Sequence, residues 1–163
     1  MELRLEPLDV RHAAELFHAL NHPKIGDYIG GPDVTTLSEL ADRIHHLQRG
    51  PTVESGQRWF NFAVLLNSQI VGRVEATSHD DIAEIAYLIN PLLWGQGLGT
   101  EAARLLLSEL RNVGEKEFWG TCVPENFASA RVMERLGFVE IPVNDAPPLL
   151  SYDPGDRVFQ LKT

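Results

Sequence analysis

The chain is 163 residues long, 44% hydrophobic and 23% charged, the make-up of a soluble globular protein with length enough for one domain, expected over 1–163. Its net charge of −9 argues against nucleic acid as the main partner, since phosphate binding needs a basic face, and suits a cationic or amine-bearing ligand. No apolar stretch approaches the length of a membrane span, and Cys122 is the only cysteine, so no internal disulfide forms, which suits a reducing cytoplasm.

The opening residues, Met1 to Pro7, alternate charge with leucine and do not read as a signal peptide. Leu3, Leu5 and Leu8 mark a first strand. Asp9 can cap a helix from Val10 to Leu20 with Ala13, Ala14, Phe17 and Leu20 on its buried face. Asn21-His22-Pro23 stops it, and Gly26 to Pro32 reads as a loop. A second helix, Thr36 to Gln48, buries Leu37, Leu40, Ile44 and Leu47. Trp59–Leu66 and Gln69–Ala76 form a hairpin about the turn Asn67-Ser68. Asp80-Asp81 is another turn before a strand at Ala83 to Ile89. A helix over Leu98–Val113, a strand over Glu117–Val123 and a short helix over Ala128–Leu136 come next, the last ended by Gly137. Phe138–Val143 and Arg157–Leu161 are the closing strands, and Asn144–Gly155, with three prolines, reads as a surface loop. This order joins an antiparallel front half to a βαβα back half, an α/β sheet with helices on both faces rather than a doubly wound one.

The most informative stretch is Trp94-Gly95-Gln96-Gly97-Leu98-Gly99-Thr100. Alternating glycines let backbone N–H groups converge without Cβ obstruction. The helix that starts there adds unpaired N–H groups and the positive end of its dipole. Together they suit a phosphate or pyrophosphate group. A Walker loop is excluded, because no lysine lies between Lys24 and Lys116. The dinucleotide fingerprint fails at Thr100, where its last glycine belongs, and hairpins precede the loop where a βαβ unit should begin. A tight turn with no ligand is the remaining alternative.

Three segments in order resemble the GNAT superfamily of acyl-CoA-dependent N-acetyltransferases: Ala83–Asn90 its central strand, Trp94–Thr100 its pyrophosphate loop, and Pro124–Phe138 its Asn-led helix with the closing Leu-Gly-Phe. The Asn-x-x-Ser start, the tryptophan before the glycines and the Asp-Arg-Val-Phe-Gln-Leu ending are most similar to the RimJ/RimL branch, which acetylates protein N-termini. The resemblance implies a central, mixed, mostly antiparallel twisted sheet of about seven strands flanked by about four helices. It also implies acetyl-CoA as co-substrate and direct transfer to a primary amine in a ternary complex. One departure stands out: many members carry a tyrosine seven residues after the asparagine as general acid, and here that place is Met133.

Acetyl transfer sets three tasks. The acceptor ammonium, with a pKa of roughly 8 to 10, must lose a proton. The thioester carbonyl needs a donor, and the departing thiolate can take a proton. For the first, Glu84 is the expected base, directly or through water. Period-two alternation places Glu84, Ala86 and Leu88 on one face of their strand and Ile85, Tyr87 and Ile89 on the other. A carboxylate within an apolar strand is expected to have a raised pKa; the alternative is a solvated, edge-facing glutamate.

The resemblance assigns the Leu88 N–H to the carbonyl, and Leu88 and Ile89 to the pantetheine amides as in an added strand. Trp94 to Thr100 would then hold the pyrophosphate. Asn126 can bond the pantetheine arm or merely cap its helix, and Ser129, one turn on, is the candidate general acid or an inert small residue. No metal is expected: His18 and His22 have i, i+4 spacing but no carboxylate pair accompanies them. Cys122 reads as a buried structural thiol, and Trp59 and Trp119 as core or cleft wall. The acceptor pocket is expected at Gly26–Pro32, the second helix and Asn144–Tyr152. The acceptor is a protein N-terminus or a small amine, the protein a monomer or homodimer, and a non-catalytic acyl-CoA-binding domain is the alternative of another class.

Overall fold

A computed structural model describes residues 2–27 and 35–162. Strands β1 (Leu3–Pro7), β2 (Arg58–Leu66), β3 (Gln69–His79), β4 (Ile82–Ile89), β5 (Glu117–Cys122), β6 (Val139–Ile141) and β7 (Arg157–Lys162) form one sheet in the order β1-β2-β3-β4-β5-β7-β6. Every neighbouring pair is antiparallel except β4 and β5. Four α-helices flank it among the described residues: α1 (Ala13–Leu20), α2 (Leu37–Arg49), α3 (Leu98–Asn112) and α4 (Phe127–Arg135). This is the mixed α/β arrangement expected, with no helix among the described residues long and apolar enough to cross a membrane.

The two faces carry separate cores. One joins Ile85 and Ile89 of β4 to Leu106 and Leu110 of α3, Phe118 of β5 and Met133 of α4. The other packs Leu16 of α1 and Ile44 of α2 against Ala63 and Leu65 of β2, with Leu88 of β4 at its edge. Each fully buried Leu or Ile contributes about 1.5–3 kcal/mol. On α1 the buried stripe is Ala13, Leu16, Ala19 and Leu20, and Ala14 faces out. Ala13 and Leu20 are buried as expected and Phe17 packs against the core, so Ala14 alone departs from the expected face. A 3-10 turn, Val10–His12, precedes the helix, with Asp9 and His12 forming a capping box.

Two features of the sheet position the site. β4 and β5 pair only at Ala83–Phe118 and Glu84–Trp119; beyond that the strands diverge and the sheet opens. β3 runs three residues past its expected end, to His79, because Asp80 and Asp81 form a two-residue turn with φ of 49° and 65°. Both residues tolerate the left-handed region, so the ladder reaches the turn and pairs His79 with Ile82.

Candidate functional site

The 94–100 turn is shaped by its own backbone. Asn90 caps a 3-10 turn over Pro91–Leu93, its side chain accepting from Leu92 N–H at 3.0 Å. The Trp94 indole then folds back and donates to the Ile89 carbonyl at 2.8 Å, which ties the turn to the end of β4. Gly95 and Gly97 have φ of 81° and 80°, in the left-handed region that only glycine enters freely. Gly97 is the N-cap of α3 and supplies no side-chain cap. Gly95, Gln96 and Gly97 are exposed, so the backbone leading into the helix is open to solvent.

Within that turn Thr100 is buried and its Oγ1 has no hydrogen-bond partner. An orphaned hydroxyl beside a bare helix start suits an oxygen-rich anion. Leu98 packs inward, whereas a Cβ on Gly99 would meet only Val132 Cγ2, at 3.8 Å.

Across the opening, α4 presents the other candidates. Asn126 caps this helix: its side-chain oxygen accepts from Ser129 N–H at 3.1 Å. The Ser129 hydroxyl lies 2.8 Å from the Tyr87 hydroxyl, which also donates to the Ser129 carbonyl at 3.1 Å. Tyr87 comes from β4 and Ser129 from α4, so the pair joins that strand to the helix where the two strands part. Burial pushes both the Tyr87 phenol and the Cys122 thiol up, so neither ionises readily. Sequence reasoning took Tyr87 for a strand residue and nothing more; its alternation with Glu84 was the available signal. Met133 is 2% exposed, and a Cβ on Gly120 would lie 2.5 Å from its sulfur. It fills the space beneath β5 that only a glycine leaves.

Glu84 lies on the opposite face, as the alternation required, and is 5% exposed rather than edge-facing and solvated. Its Oε1 accepts from Ser151 N–H at 2.9 Å and from Ser151 Oγ at 2.6 Å. Oε2 accepts from Leu150 N–H at 2.7 Å and lies 2.5 Å from His79 Nε2. His79 Nδ1 is 3.0 Å from Asp80 Oδ2. The raised pKa expected for Glu84 is corrected here: burial raises it, but the Ser151 hydroxyl, the two backbone N–H groups and His79 outweigh burial and hold it below the ordinary value. His79 is shifted the other way. Burial disfavours its charge, yet Asp80 and Glu84 together raise its pKa.

The 144–155 segment is therefore more than a surface loop, since its Leu150 and Ser151 are bound to the sheet. On Glu84's face a cavity of about 300 Å³ is lined by Leu47 of α2, Trp59 and Asn61 of β2, Thr77 of β3, and Leu150. The second helix and the 144–152 segment, two of the segments expected to form the acceptor pocket, both contribute to this cavity. Of the third expected part, Gly26–Pro32, residues 28–32 lie outside the described residues.

Known proteins share this fold. No curated protein sequence matches the chain. Among solved structures it is similar to RimL, a ribosomal L7/L12 alpha-N-protein acetyltransferase in complex with coenzyme A, at TM-score 0.80 and 19% identity over 98% of this chain and 93% of that one. An acetyltransferase from Salmonella typhimurium that modifies the N-terminal serine of L7/L12 aligns at TM-score 0.78 and 18% identity, over 99% and 95%. The aminoglycoside acetyltransferase AAC(6')-Ib in complex with coenzyme A aligns at 0.74 and 20%, over 99% and 95%. At these identities the likeness is one of fold. The family model for the acetyltransferase (GNAT) domain matches residues 2–139, and the chain belongs to that family.

Proposed function

We propose that residues 1–163 form one N-acetyltransferase domain that moves an acetyl group from acetyl-CoA to a primary amine by direct transfer. The observation that carries this reading is the parting of β4 from β5 beside a bare helix start with an orphaned Thr100 hydroxyl. Backbone N–H groups from Trp94 to Thr100 hold the diphosphate, with Gly95, Gln96, Gly97, Leu98 and Gly99 giving close approach. Leu88 and Ile89 line the pantetheine arm, and Asn126 offers it the amide NH₂ while its oxygen caps α4. In the β3–β4 register the Leu88 N–H turns toward Arg73, so the N–H of Ile89, on the open side of β4, is the donor for the thioester carbonyl as negative charge develops there.

The amine enters from Glu84's face. Glu84, kept ionised by its four donors, accepts the ammonium proton directly or across water. A base held below its ordinary pKa keeps that proton only briefly, so the transfer is coupled to attack on the carbonyl. Ser129, its hydroxyl held 2.8 Å from that of Tyr87, gives its proton to the departing thiolate and takes one back from solvent. That hydroxyl would stand in for the tyrosine that Met133 replaces. The acceptor class, a protein N-terminus or a small amine, follows the RimL and aminoglycoside acetyltransferase likenesses.

Mass spectrometry of products, after incubation with acetyl-CoA and a mixture of amines and peptides, tests the reading. A product about 42 Da heavier on an amine is expected. One observation favours a second reading, a non-catalytic acyl-CoA-binding domain: both oxygens of the Glu84 carboxylate are already satisfied within the protein. Binding of acetyl-CoA without acetylation of any amine would select it.

A further inference from the structure

Ser151 stands where the two central strands part. Glu84 belongs to the last register pair between β4 and β5, Glu84–Trp119. Thr121 lies two residues further along β5, so the period of two puts it on the face of Trp119 and Glu84. The Ser151 hydroxyl reaches both strands, lying 2.6 Å from Glu84 Oε1 and 3.0 Å from Thr121 Oγ1. The Ser151 carbonyl is 3.1 Å from the same Thr121 hydroxyl, and its backbone N–H donates to Glu84 Oε1 at 2.9 Å. Ser151 therefore spans the gap between the strands and is held on both sides.

Exposure separates the two members of the Glu84–Ser151 bond. Glu84 is buried, whereas Ser151 is open to solvent. The carboxylate is also full. Its two oxygens offer about four acceptor sites, and four donors take them: the Ser151 hydroxyl and N–H, the Leu150 N–H and His79 Nε2. An ammonium cannot bond to it without displacing one of them. The Ser151 hydroxyl is placed the other way. An ionised carboxylate only accepts, so the single Ser151 proton is committed to Glu84 while its oxygen keeps two lone pairs. Thr121 has one proton to share between the Ser151 carbonyl and hydroxyl, so it fills at most one of these. The other is an acceptor on the solvent side of a buried charge, beside the opening of the sheet.

We propose that Ser151 is a catalytic residue whose hydroxyl meets the acceptor ammonium and relays its proton to Glu84. The proposal rests on the acetyltransferase reading and deepens it by naming the group that touches the amine. An ammonium N–H bond breaks as its proton passes to Ser151 Oγ, and the Ser151 O–H bond breaks as its proton passes to Glu84 Oε1. The amine is left neutral with its lone pair, the hydroxyl is restored, and Glu84 carries the proton. The same two transfers in reverse deliver that proton to water once the amide product has left.

The test uses whichever of phenethylamine, ethanolamine and a serine-initiated peptide the wild type acetylates fastest, at saturating acetyl-CoA. Ser151→Ala removes only an exposed hydroxyl and keeps both backbone bonds to Glu84, so its affinity for coenzyme A should stay unchanged by calorimetry. At about pH 7 its kcat/KM for the amine should fall about a hundredfold, the scale of lost proton-transfer catalysis. At about pH 9.5, close to an ammonium pKa of roughly 8 to 10, much of the amine arrives neutral and the deficit should shrink below about tenfold. Ser151→Thr keeps the hydroxyl and should hold kcat/KM within about threefold of the wild type at both values. Wild-type activity in Ser151→Ala would overturn the proposal. So would a deficit equal at the two pH values, or a rate for Ser151→Thr as low as that for Ser151→Ala. Acetylation of no amine at all by the wild type would instead overturn the acetyltransferase reading beneath it.

Discussion

The 94–100 turn and the Glu84 site are built on opposite principles. The turn is local: Asn90, Trp94, Gly95, Gly97 and Thr100 lie within eleven positions of one another, and backbone conformation does most of the shaping. The Glu84 site is assembled from afar, because its partners Leu150 and Ser151 are 66 and 67 positions away and His79 arrives across a strand turn. The first leaves its backbone open to solvent. The second turns every donor inward upon one carboxylate. A cofactor site of neutral dipoles needs no partner until its ligand arrives, whereas a buried charge must be satisfied by the fold itself.

The sharpest test of that contrast is Glu84→Gln. We expect kcat to fall about a hundredfold at saturating acetyl-CoA, the usual scale for losing a general base, with coenzyme A affinity unchanged by calorimetry. Wild-type turnover in this variant would leave Glu84 a purely architectural residue. On the other side, Gly97→Val forces a β-branched residue to φ near 80°, costing about 1–2 kcal/mol or more. Coenzyme A affinity should drop about tenfold or further, while amine KM holds.

Gly99→Ala sharpens this, because its Cβ would meet only Val132 at 3.8 Å. Any loss of affinity there reports on the approach of phosphate rather than on the fold, and unaltered binding would argue against the loop assignment. Ser129→Ala should have a smaller effect, lowering kcat several-fold. It also strips a partner from the buried Tyr87 hydroxyl, at a cost of about 1 kcal/mol in thermal or denaturant unfolding. Full activity across pH would make Ser129 a helix residue with no chemical part.

The smallest effect expected is in stability against pH. Glu84 sits below its ordinary 4.5, so its contribution is present above that value and is lost as pH falls through the folded-state pKa. His79 sits above its ordinary 6.5, so its contribution is present below that value and is lost as pH rises through the folded-state pKa. The pair therefore stabilises most between roughly 4.5 and 6.5. Unfolding free energies measured from pH 3 to 9 should show that maximum, and Glu84→Gln should flatten it.

Much of the fold could be read directly because its elements are punctuated locally. Asn67-Ser68 and Asp80-Asp81 mark both hairpin turns, with all four residues at positive φ. Gly137, at φ 95°, closes α4 where a helix stop was expected. The errors came where phase or distance intervened. Ala14 lies off the buried face of α1, and the length of β3 depended on the turn beyond it. The direction of Glu84's pKa was missed because burial was visible in an apolar strand, whereas the four donors opposing it were not.

The sequence by itself determined the order of elements, the helix start with its bare N–H groups, and the face on which Glu84 stands, since these follow from turn chemistry and from periods of 2 and 3.6 residues. Only the tertiary structure decided which groups meet Glu84, that Tyr87 reaches Ser129, and that Leu150 lines a cavity with Leu47 and Trp59. Those contacts join residues tens of positions apart, and no local preference specifies them; packing of distant segments against one sheet does.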